Sequence, residues 1–277
     1  MKRTVFCITI LICLSGSVTF GIAPVGQPSA NLFQKGWWSL GVDYSMSKID
    51  LNAENTGNSS LFTEGTVDGL DINLLLGKAG YGIKDNWEVF VGFGIAKSGS
   101  FSDEKSEPWG NNNEYKQKSI FELDGSSGHA AQIGTKYTFY EKSLIKAGVA
   151  CQLTWLSVSG TVQESVYKEK TTDGSMEFIA TTESDVDADL YIFQIAPGIS
   201  YEISYGYSIF GGPLFQWVNG TAKSNLRTNT EVDITNDSAF GGWIGLHADI
   251  DVFTSLNLEY QTTGSSSTIG FNFTSKF

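Results

Sequence analysis

The chain has 277 residues, with 18 Lys and Arg against 30 Asp and Glu, for a formal net charge of −12. An acid surplus of that size opposes binding to nucleic acid or to anionic surfaces, and no basic patch offsets it. Gly at 31 residues, Pro at only 5 and aromatics at 13% favour close-packed strands over a Pro-rich linker protein, and the length admits one large β domain.

Lys2 and Arg3, an apolar run over residues 5–14 and the small residues that follow read as a secretory signal spanning residues 1–21, with cleavage at Thr19-Phe20-Gly21. The run is too short for a spanning helix. Ile12, just before Cys13, is larger than the residue that lipoprotein processing uses, so an unlipidated mature chain is expected from about Ile22. Removing the signal takes away Cys7 and Cys13 and leaves Cys151 alone, which excludes an intrachain disulfide. It also moves the net charge to about −14, because Lys2 and Arg3 leave with no acid. Residues 22–35 lack periodicity and contain Pro24, Gly26, Pro28 and Ser29, so an extended periplasmic lead-in is expected there.

From residue 36 the chain alternates with a period of two, which places successive side chains on opposite faces of a strand. The first strand sets Trp38, Leu40, Val42, Tyr44 and Met46 against Ser39, Gly41, Asp43, Ser45 and Ser47. After a polar stretch to about Val67, a second strand sets Leu70, Ile72, Leu74 and Leu76 against Asp71, Asn73 and Gly77. A tight connection around Asp85 leads to a third, Trp87, Val89, Val91, Phe93 and Ile95 against Glu88, Phe90, Gly92 and Gly94. Residues 98–127 read as a long charged loop. The fourth strand sets Ala131, Ile133, Thr135, Tyr137 and Phe139 against Gln132, Gly134 and Lys136, and turns at Glu141-Lys142-Ser143. The fifth sets Ile145, Ala147, Val149, Cys151, Leu153 and Trp155 against Lys146, Gly148, Ala150, Gln152 and Thr154.

An acidic loop is expected over residues 160–184. The sixth strand sets Phe193, Ile195, Ile199 and Tyr201 against Gln194, Gly198, Ser200 and Glu202. The seventh sets Ile209, Phe215 and Trp217 against Ser208, Gly212 and Gln216, with a break expected at Pro213 because it has no ladder donor. Residues 219–236 read as a polar loop. The eighth strand sets Phe240, Ile244, Leu246, Ile250 and Val252 against Gly241, Trp243, Gly245, His247, Asp249 and Asp251. The ninth sets Leu256, Leu258 and Tyr260 against Asn257, Glu259 and Gln261, and the last alternates from Ser267 to Phe277.

Short and long connections alternate along this series except between the last two strands. That is the rhythm of an all-β, transmembrane, antiparallel up-and-down β-barrel of about ten strands occupying residues 36–277, with short turns in the periplasm and long loops outside. An even strand number returns both ends to the periplasmic side. Aromatics such as Trp38, Trp87, Tyr137 and Tyr201 cluster near the short turns, and Trp155, Trp217 and Tyr260 near the long loops, as the two lipid–water interfaces favour.

The final stretch adds a resemblance. Ile269, Phe271, Phe273 and the terminal Phe277 share one parity, with Ser275 departing from it. The pattern resembles the C-terminal insertion signal of bacterial outer-membrane β-barrel proteins. The resemblance implies an outer-membrane location, membrane lipids and the barrel-insertion machinery as partners, and no specific activity.

The expected inward face carries the candidate lumen residues Glu88, Lys136, Lys146, Glu202, His247, Asp249, Asp251 and Glu259, together with Asp43, Asp71 and Lys276. Acids and bases there can pair across a narrow lumen or leave a cation-preferring passage. About ten strands lie near the filled end of the size range, far from the sixteen or so of water-filled porins, and inward Phe90, Phe210, Leu214 and Trp243 occupy volume. His247 shares a face with Asp249 and Asp251, an arrangement that could serve a general base but reads more simply as mutual polar satisfaction. Asp185, Asp187 and Asp189 alternate on one face and lack the Gly and distal Glu of a calcium loop. No cofactor or metal site is implied. The expected role is structural or surface-interacting, with acidic external loops and an unidentified surface partner. A narrow, weakly cation-selective pore is the alternative, a rim-site hydrolase the third reading, and no enzyme activity is expected.

Overall fold

Strands dominate because β-branched and aromatic residues recur at every second position and Pro is scarce. The computed structural model describes residues 22–29, 35–55, 65–99, 101–108, 115–224, 230–236 and 239–277; the expected signal, residues 1–21, lies outside them. The strands are β1 (Trp38–Asn55), β2 (Gly65–Lys84), β3 (Trp87–Ser98), β4 (Phe101–Pro108), β5 (Tyr115–Gly125), β6 (Ser127–Lys142) and β7 (Ile145–Lys170). They continue as β8 (Met176–Ser204), β9 (Tyr207–Ser224), β10 (Thr230–Thr235), β11 (Phe240–Asp249), β12 (Thr254–Thr263) and β13 (Ser266–Lys276).

β1, β2, β3, β6, β7, β8, β9, β11, β12 and β13 each pair antiparallel with the next, and β13 returns to β1, so ten strands close a ring. These are the ten strands legible in the sequence. At the seam the Trp38 amide donates to the Phe277 carbonyl and the Phe277 amide to the Trp38 carbonyl, both at 3.0 Å. Short turns at residues 85–86, 143–144, 205–206 and 250–253 lie at the same end as this seam. β12 and β13 are joined by a short turn at the opposite end.

The wall continues well past the span at that opposite end. A transmembrane strand needs about ten residues, whereas β7 has 26 and β8 has 29. All four stretches expected as long loops contribute strand instead; in the first, β1 runs on to Asn55 and β2 starts at Gly65. β4 and β5 form a hairpin that adds to the outer half of β7, β10 bridges β9 and β1, and the supposed loop over 160–184 is mostly the outer β7–β8 hairpin. Their sequences lack the alternation of the membrane span because outside hydrocarbon the outward face no longer has to be apolar.

Around the ring the outward side chains are large and apolar and remain exposed, Phe93 at 66% and Ile244 at 62% among them. A soluble protein rarely exposes a continuous apolar band of this extent; lipid supplies the missing contact. Aromatics edge the band, with Trp38 against Tyr81 (ring centroids 4.9 Å) near the seam and Phe215 against Phe240 (5.1 Å) on the far side.

The expected faces hold on nine of the ten ring strands. β2 is the exception in consequence. Leu70, Ile72, Leu74 and Leu76 point inward and are buried, and Asp71, read from the sequence as inward, points outward. The reason is that this strand is apolar on both faces near its middle, where Leu74, Leu75 and Leu76 are consecutive. The break expected at Pro213 is present. Pairing of β8 with β9 runs to Ile195 and Phe215 and resumes at Ile199 and Gly211 without a change of register, so Pro197 and Pro213 face one another across the gap.

Two inward phenylalanines lie over glycines on the neighbouring strand. Phe90 faces Gly134 and Phe210 faces Gly245, and a Cβ on either glycine would meet the ring at 2.3 Å. A Gly134→Val variant is expected to lose about 1–3 kcal/mol through overpacking, read by urea titration in detergent micelles. Gly77→Ala, whose Cβ would meet nothing closer than 3.7 Å, should leave the midpoint where it is.

Candidate functional site in the occupied lumen

Inward positions at the short-turn end are polar, and their side chains form one connected chain. Lys78 Nζ lies 3.0 Å from Asp43 Oδ2 and 4.0 Å from the centre of the Phe90 ring. Asn272 Nδ2 donates to the other Asp43 oxygen. Asn257 Nδ2 donates to Asn272 Oδ1 at 2.8 Å, and His247 joins Asn257 Oδ1 through Nδ1 at 2.8 Å and Asp249 through Nε2 at 3.2 Å. Both imidazole nitrogens are thus engaged with neighbouring side chains. Glu88, Lys136 and Lys276 are buried and share with Lys78 the wall of a cavity of about 30 Å³, a water-sized space.

The remaining candidates lie nearer the mouth. Lys146 is paired with Glu141 at 2.8 Å beside the turn at 143–144, and Glu202 is half-buried on β8. Asp251 is outside the lumen, contrary to the sequence expectation. Its Oδ1 accepts from the amides of Phe253 (2.7 Å) and Thr254 (2.8 Å), so it caps the β11–β12 turn; alternation ended at Asp249, where the strand ends. Asp185, Asp187 and Asp189 are exposed on the outer face of β8.

Above the ionic level runs a belt of glutamines. Gln152 Nε2 donates to Gln194 Oε1 (2.7 Å), Gln194 Nε2 to Gln261 Oε1 (2.8 Å), and Gln261 Nε2 to Glu259 Oε1 (2.6 Å). Higher still the inward side chains become aliphatic, with Leu74, Leu156, Leu190, Ile192 and Val218 in one buried cluster.

The bore itself holds residues 22–29, every one of them buried. The lead-in therefore does not stay on the periplasmic side of the barrel as the sequence suggested; it runs up the lumen. Glu259 receives the Val25 amide on Oε1 (2.7 Å) and the Gly26 amide on Oε2 (2.6 Å). Gln152 Nε2 donates to the Ala23 carbonyl (3.0 Å) and Gln27 Nε2 to Ser208 Oγ (2.7 Å). Ile22 and Ala23 enter the aliphatic cluster. Gly26 sits at φ +70°, a backbone conformation that calls for glycine, and a Cβ there would displace Lys136 Nζ, 2.8 Å away. None of its side chains is ionisable.

Sequence reasoning missed this segment and Lys78. A signal for Lys78 was present: it shares parity with Leu76 and Leu74, and a lysine facing mid-bilayer lipid is costly, so that parity had to face inward.

No protein-family model matches the chain, and no curated protein matches it. Among solved structures it is similar to the outer-membrane protease OmpT of Escherichia coli, at 8% identity over 90% of this chain and 97% of that one, with a TM-score of 0.54. The monoaromatic hydrocarbon channel CymD aligns over 92% of this chain and 97% of its own, at 12% identity and a TM-score of 0.42. The toluene transporter TbuX of Ralstonia pickettii aligns over 88% and 90%, at 10% identity and 0.38. At 8% identity the first likeness speaks to fold alone, and it agrees with the closed ring, the short turns at one end and the lipid-facing band. The chain has the architecture of a bacterial outer-membrane β-barrel protein.

Proposed function

We propose that the protein is a sealed, non-catalytic barrel of the bacterial outer membrane that holds a strand-built platform above the membrane for contact with an apolar partner surface. On this reading Ile269, Phe271, Phe273 and Phe277 serve as the signal to the barrel-insertion machinery. The observation that carries it is the tip of the β7–β8 hairpin, where Met176 (53% exposed), Phe178 (56%) and Ile179 present apolar surface to solvent. Tyr167 packs edge-on against Phe178 at 5.7 Å, and Ile179 is the extra residue where the β7–β8 register shifts.

This patch is not part of the lipid band. Between it and Tyr191 the outer face of β8 carries Glu183, Asp185, Asp187 and Asp189, charges that hydrocarbon would exclude. Met176 lies about 50 Å along the strand beyond Tyr191. The tip is also ordered: Asp173 accepts the amide (3.0 Å) and hydroxyl (2.7 Å) of Ser175, and these bonds hold its carboxyl below the usual range. Large apolar groups fixed far from the membrane mark an interaction surface, and the acids around it favour a partner without acidic flanks. Cells displaying the chain should partition into hexadecane more strongly than cells displaying Met176→Ser, Phe178→Ser, Ile179→Ser at equal surface level. Equal partitioning of the two would remove the tip as the contact surface.

A further inference from the structure

We propose that residues 22–29 are a removable stopper latched by Glu259, and that withdrawing them toward the short-turn end turns the barrel into a passage for small ions. The proposal rests on the reading of the resting barrel as sealed.

The segment is bound as a guest is bound. It joins no strand ladder; its amides and carbonyls are held by side chains of the wall, above all by the two oxygens of Glu259. Such contacts separate without any strand leaving the ring. At the level of residues 25–27 the wall sets polar groups of Glu259, Ser208 and Lys136 beside an apolar cluster, Phe210, Leu214 and Trp243 among it, that packs on Val25. Buried polar atoms on the inward faces have no protein partner among the described residues: both ends of the Gln132 amide, Gln152 Oε1 and Thr154 Oγ1. A wall made for permanent dry packing would not carry them, whereas a wetted bore satisfies them. Higher up, the collar includes the small Ala96 and Ala130 on neighbouring strands, so the wall does not fill the bore unaided and Ile22 with Ala23 complete it. Residues 35–36, which follow the segment, bond to Asp85 and Gly82 at the short-turn end, and that tether sets the direction of withdrawal. With Asp43, Glu88 and Glu259 facing Lys78, Lys136 and Lys276, the emptied bore carries both signs of charge and selects weakly between anions and cations.

The experiment is planar-bilayer recording in KCl of the folded full chain, of a variant lacking residues 22–29, and of Glu259→Gln. The full chain should stay at baseline and the deletion should give discrete steps. Glu259→Gln removes one charge-assisted acceptor and should raise the open fraction at least about tenfold. Each sample is first shown to be folded by its heat-dependent electrophoretic shift. A folded deletion variant that remains silent overturns the stopper, while steps from the full chain overturn the sealed reading beneath it. In case the deletion fails to fold, Ser29→Cys is placed in the full chain with Cys7, Cys13 and Cys151 replaced by Ser. A membrane-impermeant maleimide added at the short-turn side should label it at least about tenfold faster with Glu259→Gln than with Glu259, and equal rates overturn the latch.

Discussion

A chain truncated after Ser265 yields no closed barrel: no heat-dependent shift in mobility and no protection of the wall from added protease. The truncation removes β13, which pairs with eleven residues of β1 and nine of β12. Both strands would then present unpaired amides and carbonyls to hydrocarbon, at several kcal/mol per unsatisfied group. A folded protein is stable by only about 5–15 kcal/mol, so one strand's worth of open edge exceeds the whole margin. β12 cannot simply take the place of β13 beside β1, because both are antiparallel to β13 and would meet parallel, with a different hydrogen-bond pattern from every other pair in the ring. Removing Phe277 alone loses just its two seam bonds with Trp38 and should weaken the barrel without abolishing it. A truncated chain that still shows the shift would mean that the seam lies elsewhere.

Lys78→Met is expected to cost about 3–5 kcal/mol, the usual result of leaving one partner of a buried ion pair alone. The Asp43 side chain is 1% exposed and that of Lys78 13%, at 3.0 Å. Without Lys78 the carboxylate keeps Asn272 as a donor, and Asn272 cannot turn to help further, since its Oδ1 already accepts from Asn257 (2.8 Å) and Thr274 (3.0 Å). Methionine keeps the length of the side chain but also gives up the ammonium's place over the Phe90 ring at 4.0 Å, so the loss is one of charge. The double variant Lys78→Met, Asp43→Asn should recover most of the loss, because an amide in place of the carboxylate no longer needs a cation. Urea unfolding in liposomes followed by Trp fluorescence reads all three. A single variant within about 1 kcal/mol of the parent, with no recovery in the double, would show that the pair is uncoupled.

The ring was legible wherever membrane and lumen impose opposite chemistry on the two faces of a strand. On β3 the alternation of Trp87, Val89, Val91 and Phe93 with Glu88, Phe90 and Gly92 assigns lipid and lumen correctly, as do the patterns of β6, β7 and β13. It failed where that contrast vanishes. β2 turns its leucines to the aliphatic half of the lumen, so both of its faces look lipid-facing and the wrong one was chosen. β4, β5 and β10 lie beyond the lipid band, where an outward face no longer has to be apolar, and their polar sequences read as loop although backbone pairing makes them strand.

The lumen was half legible for a related reason. Glu88, Lys136, His247, Asp249 and Glu259 follow from parity alone, and all five point inward. Asp251 was lost because parity says nothing about where a strand gives way to a turn. Residues 22–29 left no trace in periodicity, since a segment bound through Glu259 and Gln152 has no ladder to impose one. In retrospect its lack of ionisable side chains and its two prolines suit a guest that offers few amides for the wall to satisfy.

The most direct test of the account is electrophoretic mobility of the full chain, boiled and unboiled, on separated membrane and soluble fractions. The account predicts recovery in the outer-membrane fraction with a faster band before boiling than after, as a closed barrel resists the detergent until heated. A single band unchanged by heat, from protein recovered in the soluble fraction, would contradict it: the exposed apolar band around the ring would then meet protein instead of lipid, and every assignment of lumen and outer face would fall with it.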